Sequence, residues 1–206
     1  MSIYLLDSHF VFSEDTALCL GTFDGVHLGH QALIARTVAL GRENGWVPAA
    51  FTFDVPPAAA IHPERAVELL TPLSEKAALL TEYGLTHVFH RPFDSVVARM
   101  SAEDFFQDIL VHRLRARALV IGFHYRFGWQ AKGDAELMAR LCRQAGIRLD
   151  VIAPVCMPDH RLISSTAIRQ ALSDGRADEA QAMLGRTLSP RENELLGGIR
   201  HDCHDP

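Results

Sequence analysis

The sequence predicts an α/β fold, a parallel sheet with helices on both faces, and three observations predict it. Short apolar runs (Ala17–Leu20, Pro48–Phe53, Ala118–Ile121) recur between longer stretches with helical periodicity. These runs are apolar almost throughout, Thr52 excepted, as in strands buried on both faces. The first two are joined by a helix-length segment, and a β-α-β unit makes its strands parallel.

Taken in order, residues 1–16 mix apolar and polar pieces and leave an edge strand undecided. The first strand covers 17–22. Leu28 to about Glu43 reads as a helix with Leu28, Ala32, Ala35, Val38 and Ala39 on its apolar side, stopped by Asn44-Gly45. The second strand ends at Phe53, and the loop Asp54-Val55-Pro56-Pro57-Ala58 lies where open α/β sheets place their ligands. Ser74 reads as the cap of a helix ending near Gly84, followed by a short strand at His87–His90. Ser101 caps a helix to about Leu114 with Phe105, Phe106, Ile109 and Leu110 on one face. A buried strand, Ala118–Ile121, then delivers Gly122-Phe123-His124-Tyr125-Arg126-Phe127-Gly128, and a helix from Ala135 to about Gln144 leads to a strand at Leu149–Ala153. Ser164-Ser165-Thr166 caps a further helix, and Ala177–Leu184 closes the set.

Composition narrows the function. The 206 residues are 48% hydrophobic and 22% charged, enough for one globular domain, and the net charge of −5 gives no basic excess for nucleic acid. No run is long enough to span a bilayer and the N-terminus lacks a leader pattern, so a cytoplasmic protein with small-molecule partners is expected. Nothing in the sequence speaks to oligomeric state. Cys19, Cys142, Cys156 and Cys203 are widely spaced and expected as free thiols. The tail His201-Asp202-Cys203-His204-Asp205 reads as a solvated terminus, with a soft-metal site as the alternative.

The chemistry concentrates in Cys19–Gln31, CLGTFDGVHLGHQ. Gly21, Gly25 and Gly29 allow a tight turn from strand to helix, and a helix N-terminus offers free N–H groups and a positive dipole end to a phosphate. His27 and His30, three apart, face one side of the first turn and can hold a phosphoryl group between them. A His-x-x-His pair alone is more often two structural histidines, and it is the ten patterned residues after a strand that make the signal specific. The late Ser164-Ser165-Thr166 cap with Arg169 one turn on makes a second phosphate cradle.

GTFDGVHLGHQ resembles the first signature of the HxGH nucleotidylyltransferases, in the form found in bacterial FAD synthetases. FTFDVPP, LTPLSEKAALL, MSAEDFF, GFHYRFG, ISSTAIRQAL and LGR follow in that family's order, so the resemblance runs from about Ala17 to Arg186. It implies a Rossmann-like sheet of nucleotidylyltransferase type, ATP, Mg²⁺, and FMN as acceptor. Residues 1–186 are expected to form the FMN adenylyltransferase domain and 187–206 a C-terminal tail, without the riboflavin kinase module usual in the family. The resemblance casts His27, His30, Ser164 and Arg169 as catalytic. It gives ATP to Gly21, Phe23, Asp24, Gly25, Gly29, His124, Ser165 and Thr166, and FMN to Phe53, Asp54, Arg126 and Phe127; no residue is assigned to a metal. Asp24 reads equally as a turn residue of the glycine loop.

Two positions depart from the family pattern. Pro56 stands where a histidine is common, and His124 where an Asp or Asn supplies an oxygen acceptor; imidazole is a poor Mg²⁺ ligand. His62 is a candidate replacement for the first. The expected function is transfer of AMP from ATP to FMN. A nucleotide- or flavin-binding protein without turnover, or a transferase with another acceptor, stays open. A cytidylyltransferase fits less well, because Arg161–Thr166 lacks the RTEGIST pattern.

Overall fold

Strand β2 (Thr16–Leu20) is buried along its whole length because it lies inside a six-stranded sheet. The computed structural model describes residues 2–7, 9–62, 64 and 68–196. Around β2 stand β1 (Ser2–Leu5), β3 (Val47–Phe53), β4 (His87–Arg91), β5 (Ala116–Gly122) and β6 (Arg148–Ile152), in the order β1-β4-β3-β2-β5-β6 with every pair parallel. The chain winds from β2 through β3 to β4 on one side and then returns to β5 and β6 on the other. Strand order therefore reverses between β2 and β5, which opens a crevice beyond their C-terminal ends.

The helices are α1 (Leu28–Asn44), α2 (Pro57–Ile61), α3 (Leu73–Glu82), α4 (Ser95–Arg99), α5 (Ala102–Asp104), α6 (Ala135–Ala145), α7 (Ser165–Ser173), α8 (Ala177–Leu184) and α9 (Pro190–Glu194). Side chains alternate across β2, so its two faces feed two cores. Ala17 and Cys19 pack with Ile34 and Val38 of α1 and Ala77 and Leu80 of α3. Leu18 and Leu20 pack with Phe51, Phe89, Phe106, Ile109 and Met138 on the other face. Both faces are covered, as a parallel sheet requires. A third cluster joins Ile168 and Leu172 of α7 to Met183 and Leu184 of α8, with Leu70.

Several local expectations are revised. The helix begins at Leu73 with Pro72 as its cap residue, so Ser74 lies inside the first turn and caps nothing. Pro57 and Ala58, read as the end of a loop, instead open α2, because Pro57 at the first helical position has no N–H to lose. Asp94 accepts from the N–H groups of Val96 and Val97, both at 2.9 Å, and starts α4. The four apolar residues expected on one face after Ser101 are buried together, but Phe105–Arg113 is π-helical. Ser2–Leu5 pairs with β4 as the edge strand left undecided. Cys19, Cys142 and Cys156 are free, and the cysteine-containing tail 201–205 lies outside the described residues.

The segment after Arg186 is anchored. Ser189 and Glu192 form a capping box at the start of α9, and the Glu192 carboxylate, fully buried, accepts two 2.7 Å bonds from Arg186. Arg186 in turn donates to the Gly25 carbonyl at 3.0 Å. Replacing Glu192 with Ala leaves that guanidinium without its partner in a dry site, and it should cost about 3 kcal/mol in urea unfolding. An unchanged midpoint would mean that α9 contributes nothing to the fold.

Candidate functional site

The turn after β2 is bent by three departures from ordinary backbone within four residues. Phe23 (φ 49°), Gly25 (φ 83°) and Val26 (φ 42°) all lie in the left-handed region, where a β-branched residue such as Val26 is strained. The bend buries Phe23 completely and delivers His27 as the cap residue of α1. The His27 and His30 rings stack at 3.7 Å between centroids, 20° from coplanar. Gly29 is there for space: a Cβ at this position would sit 3.1 Å from the His27 ring.

Both imidazoles keep a buried Nδ1 with no hydrogen-bond partner. Burial pulls His27 down to about 4 and His30 well below its usual 6.5, the latter helped by the neighbouring His27 ring and the Lys76 ammonium. The pair is neutral at pH 7. Each ring then has one N–H to donate and one lone pair to offer.

Across a cavity of about 1040 Å³ stands the second cradle. Ser164 caps α7 by accepting from the Ala167 N–H at 3.2 Å, and Ser164, Ser165 and Thr166 line the cavity opposite Gly21, His27, Gly29 and His30. Two helix N-termini thus converge on one space, the arrangement that suits a chain of phosphates. The other half of the wall is aromatic. Phe53 meets Phe93 edge-on at 5.1 Å, Phe105 lies 6.0 Å from Phe127, and Trp129 stands half-exposed. His124 and Arg126 line the rim; His124 packs edge-on against Phe123 at 5.1 Å, and Arg126 pairs with Asp134 at 3.3 Å.

Five residues assigned to the site from sequence stand behind its wall: Phe23, Asp24, Gly25, Asp54 and Arg169. Asp24 is buried, and its carboxylate accepts from the Thr71 N–H at 3.1 Å and pairs with the Arg169 guanidinium. Arg169 also donates to the Glu68 carbonyl at 2.8 Å. The Ser165 hydroxyl donates to the Asp24 carbonyl at 2.8 Å, and Gly25 N–H donates to Thr71 Oγ1 at 3.0 Å. Asp54 is bonded to His90 Nδ1 at 2.5 Å. Sequence reasoning passed over Arg99, Phe93, Val97 and Trp129, which all line the cavity; His62, the candidate replacement for the histidine absent at Pro56, is also on the wall. Phe93 and Val97 flank the Asp94 cap, the one signal that could have placed them.

No Asp or Glu is among the lining residues, and no group of three or more His, Cys, Asp or Glu able to hold a metal exists among the described residues. The wall offers hydroxyls, imidazoles, N–H groups and guanidinium ions, a donor set for anions. It does not form an Mg²⁺ site of its own.

Fold and site together define a doubly wound α/β protein with a donor-lined crevice at its switch point. Residues 10–167 match the FAD synthetase family, and the chain belongs to it. It is 35% identical over 176 residues to the bifunctional riboflavin kinase/FMN adenylyltransferase of Escherichia coli (strain K12), covering 85% of this chain and 56% of that protein. A FAD synthetase of Listeria monocytogenes is 33% identical over 174 residues, 84% of this chain and 70% of its own length. The chain thus spans little more than half of its Escherichia coli relative. Among solved structures, a macrolide-efflux protein from Streptococcus pneumoniae superposes with a TM-score of 0.80 at 27% identity, over 91% of this chain and 63% of the other. A pantoate-beta-alanine ligase from Francisella tularensis, at 11% identity, a TM-score of 0.51 and 89% and 78% coverage, shares the fold alone.

The buried histidines make stability depend on pH. Their folded pKa values lie below the unfolded 6.5, so the unfolded chain takes up protons first as the pH falls. Stability contributed by the neutral pair is whole above pH 6.5 and declines toward pH 4, by up to about 1.4 kcal/mol per pH unit for each ring. Urea midpoints measured between neutral and mildly acidic pH should fall, and the double variant His27→Gln/His30→Gln should show a flatter dependence. Equal slopes in the two proteins would refute the assignment.

Proposed function

We propose that this chain is an FMN adenylyltransferase, converting ATP and FMN into FAD and pyrophosphate. The observation that carries the reading is the stacked, neutral His27–His30 pair at one helix N-terminus facing the Ser164–Thr166 cap of another. Membership of the FAD synthetase family and the names of the relatives point the same way.

In this reading an oxygen of the FMN phosphate attacks the α-phosphorus of ATP in line. The new P–O bond forms as the bond to the β-phosphate breaks, and pyrophosphate leaves with the electron pair. The FMN phosphate is already ionised at neutral pH, so no strong base or covalent nucleophile is needed; the protein contributes position and charge stabilisation. The imidazole N–H groups of His27 and His30 donate to the phosphate oxygens where charge grows. Ser164, Thr166 and the free N–H groups of α7 hold the departing phosphates. Gly21 and Gly29 let the chain of phosphates approach the backbone. The aromatic wall around Phe53 and Phe127 takes the isoalloxazine ring, with Arg99 and Arg126 at the rim for its phosphate.

Three residues receive altered roles. Arg169, whose guanidinium holds Asp24 and the Glu68 carbonyl, serves by fixing α7 against the glycine loop. Asp24 is its partner in that clamp, and Phe23 is the floor beneath Gly21. Mg²⁺ enters the proposal only as an ion accompanying ATP, and no step is assigned to it.

A chromatographic assay with ATP, Mg²⁺ and FMN tests the proposal. Wild-type protein should form FAD and pyrophosphate over many turnovers, and His27→Ala/His30→Ala should lose on the order of 10³-fold in kcat with the fold retained by circular dichroism. Phe53→Ala should raise the KM for FMN about tenfold and leave that for ATP unchanged. ATP and FMN binding without product would favour a protein that binds these ligands and does not turn over, a reading that the unusual His124 at the rim would then support.

A further inference from the structure

The turn that carries His27 into the site is held by contacts that no local structure supplies. Three consecutive carbonyls, those of Asp24, Gly25 and Val26, each accept a hydrogen bond from a side chain distant from the turn or one helical turn on. The donors are the Ser165 hydroxyl at 2.8 Å, the Arg186 guanidinium at 3.0 Å and the Gln31 amide at 2.9 Å. Backbone carbonyls in such a bend would otherwise depend on water. The last of the three bears most directly on the site. The Val26 carbonyl lies in the peptide plane that joins Val26, strained at φ 42°, to His27. Fixing that plane fixes the direction in which the His27 side chain leaves the backbone.

Two of these donors are anchored in residues 184–192. Gln31 Nε2 carries two hydrogens; one goes to Val26 and the other to the Leu184 carbonyl at 2.7 Å. That carbonyl is among the last of α8, which have no acceptor role inside their own helix. Arg186 holds Gly25 while the buried Glu192 carboxylate of α9 accepts two 2.7 Å bonds from the same guanidinium. Gly185 lets both anchors come close. It ends α8 with a φ of 68°, and a Cβ there would lie 2.5 Å from Leu28 in the first turn of α1. This whole segment lies beyond residues 10–167, the part matched by the family.

We propose that residues 184–192 are a positioning element for the His27–His30 pair, acting through Gln31 and Arg186 on the Val26 and Gly25 carbonyls. The kinetic part of this rests on the adenylyltransferase reading; the structural part rests on the contacts alone. Neither Gln31 nor Arg186 lines the cavity, and both amide hydrogens of Gln31 are spent on backbone carbonyls, so these residues act through the histidines and touch no reacting atom. Releasing the Val26 carbonyl frees the Val26–His27 peptide to rotate, and the stacking of His27 on His30 at 3.7 Å is lost with it. In-line transfer is sensitive to such a shift, because a misplacement of about 1 Å can cost on the order of 10²-fold in rate. The loss falls on kcat, since the imidazole N–H groups act where charge grows on the phosphate oxygens.

The test compares wild-type protein with Gln31→Met, which keeps the length of the side chain and donates nothing. Two readouts are taken, the kinetics of FAD formation and the NMR shifts of the His27 and His30 ring protons, which each stacked ring displaces in the other. Gln31→Met should lose about 30-fold in kcat with the KM for ATP and for FMN within about twofold, and the ring-proton shifts should move toward unstacked values. A folded Gln31→Met whose kcat stays within about threefold of wild type overturns the proposal. So does a loss carried by KM alone, or a loss of kcat with the ring shifts unmoved, which would leave the amide a matter of stability. If Gln31→Met fails to fold, Arg186→Lys decides: a single ammonium in place of the fork keeps a cation for Glu192 and gives up the Gly25 carbonyl. A fall in kcat with displaced ring shifts then supports the proposal, and wild-type values of either overturn it. Wild-type protein that forms no FAD would sink the adenylyltransferase reading, whereas the ring shifts of Gln31→Met would still judge the positioning.

Discussion

The buried carboxylate of Asp24 is the point on which the site depends. One side chain receives Arg169 from α7 and the backbone N–H of Thr71 from the segment before α3, while its own carbonyl accepts the Ser165 hydroxyl. Two segments distant in sequence, α7 and the stretch before α3, are thereby held to one strained turn. A charge this deep is stable only when paired and hydrogen-bonded, so the arrangement tolerates little displacement. The turn that it holds sets the direction in which α1 leaves the sheet, and with it the stacking of His27 on His30. Arg186 completes the fastening by joining the Gly25 carbonyl to the buried Glu192 of α9.

The electrostatic design separates what faces the ligand from what supports it. Carboxylates are kept behind the wall, each committed to a cation or to His90, whereas the wall itself presents imidazoles, hydroxyls, helix N-termini and two guanidinium groups. An anionic ligand therefore meets no like charge at contact distance. The histidines contribute as neutral dipoles, because desolvation removes the protons they would carry in water. Neutral donors fixed in place need little reorganisation when charge builds on a phosphate oxygen.

The two positions that depart from the family pattern differ in what surrounds them. Pro56 is the cap residue of α2, and Pro57 opens that helix with a φ already suited to it; the altered loop is thus a short helix whose far end puts Ile61 and His62 on the cavity wall. His124 is an exposed rim residue leaning on Phe123, where its loss of an oxygen acceptor touches the edge of the cavity and leaves the histidine pair untouched.

Much of this protein was legible from local sequence. Apolar runs such as Ala17–Leu20 and Ala118–Ile121 declare buried parallel strands because each is apolar on both faces, and the glycines before His27 declare the tight turn into α1 because backbone geometry is a local property. The capping residues Ser101 and Ser164 were readable for the same reason. Short elements were not: α2, α4 and α9 each have five residues, too few to show a period, and they exist because the fold packs and caps them. Nor could the chain alone show that Arg169 turns away from the cavity to Asp24, 145 positions earlier, or that Lys76, on the same helical stripe as the buried Ala77 and Leu80, lies inside with them. Charge pairing is a through-space choice among partners that sequence separates, and only the assembled sheet and its helices decide which of them meet.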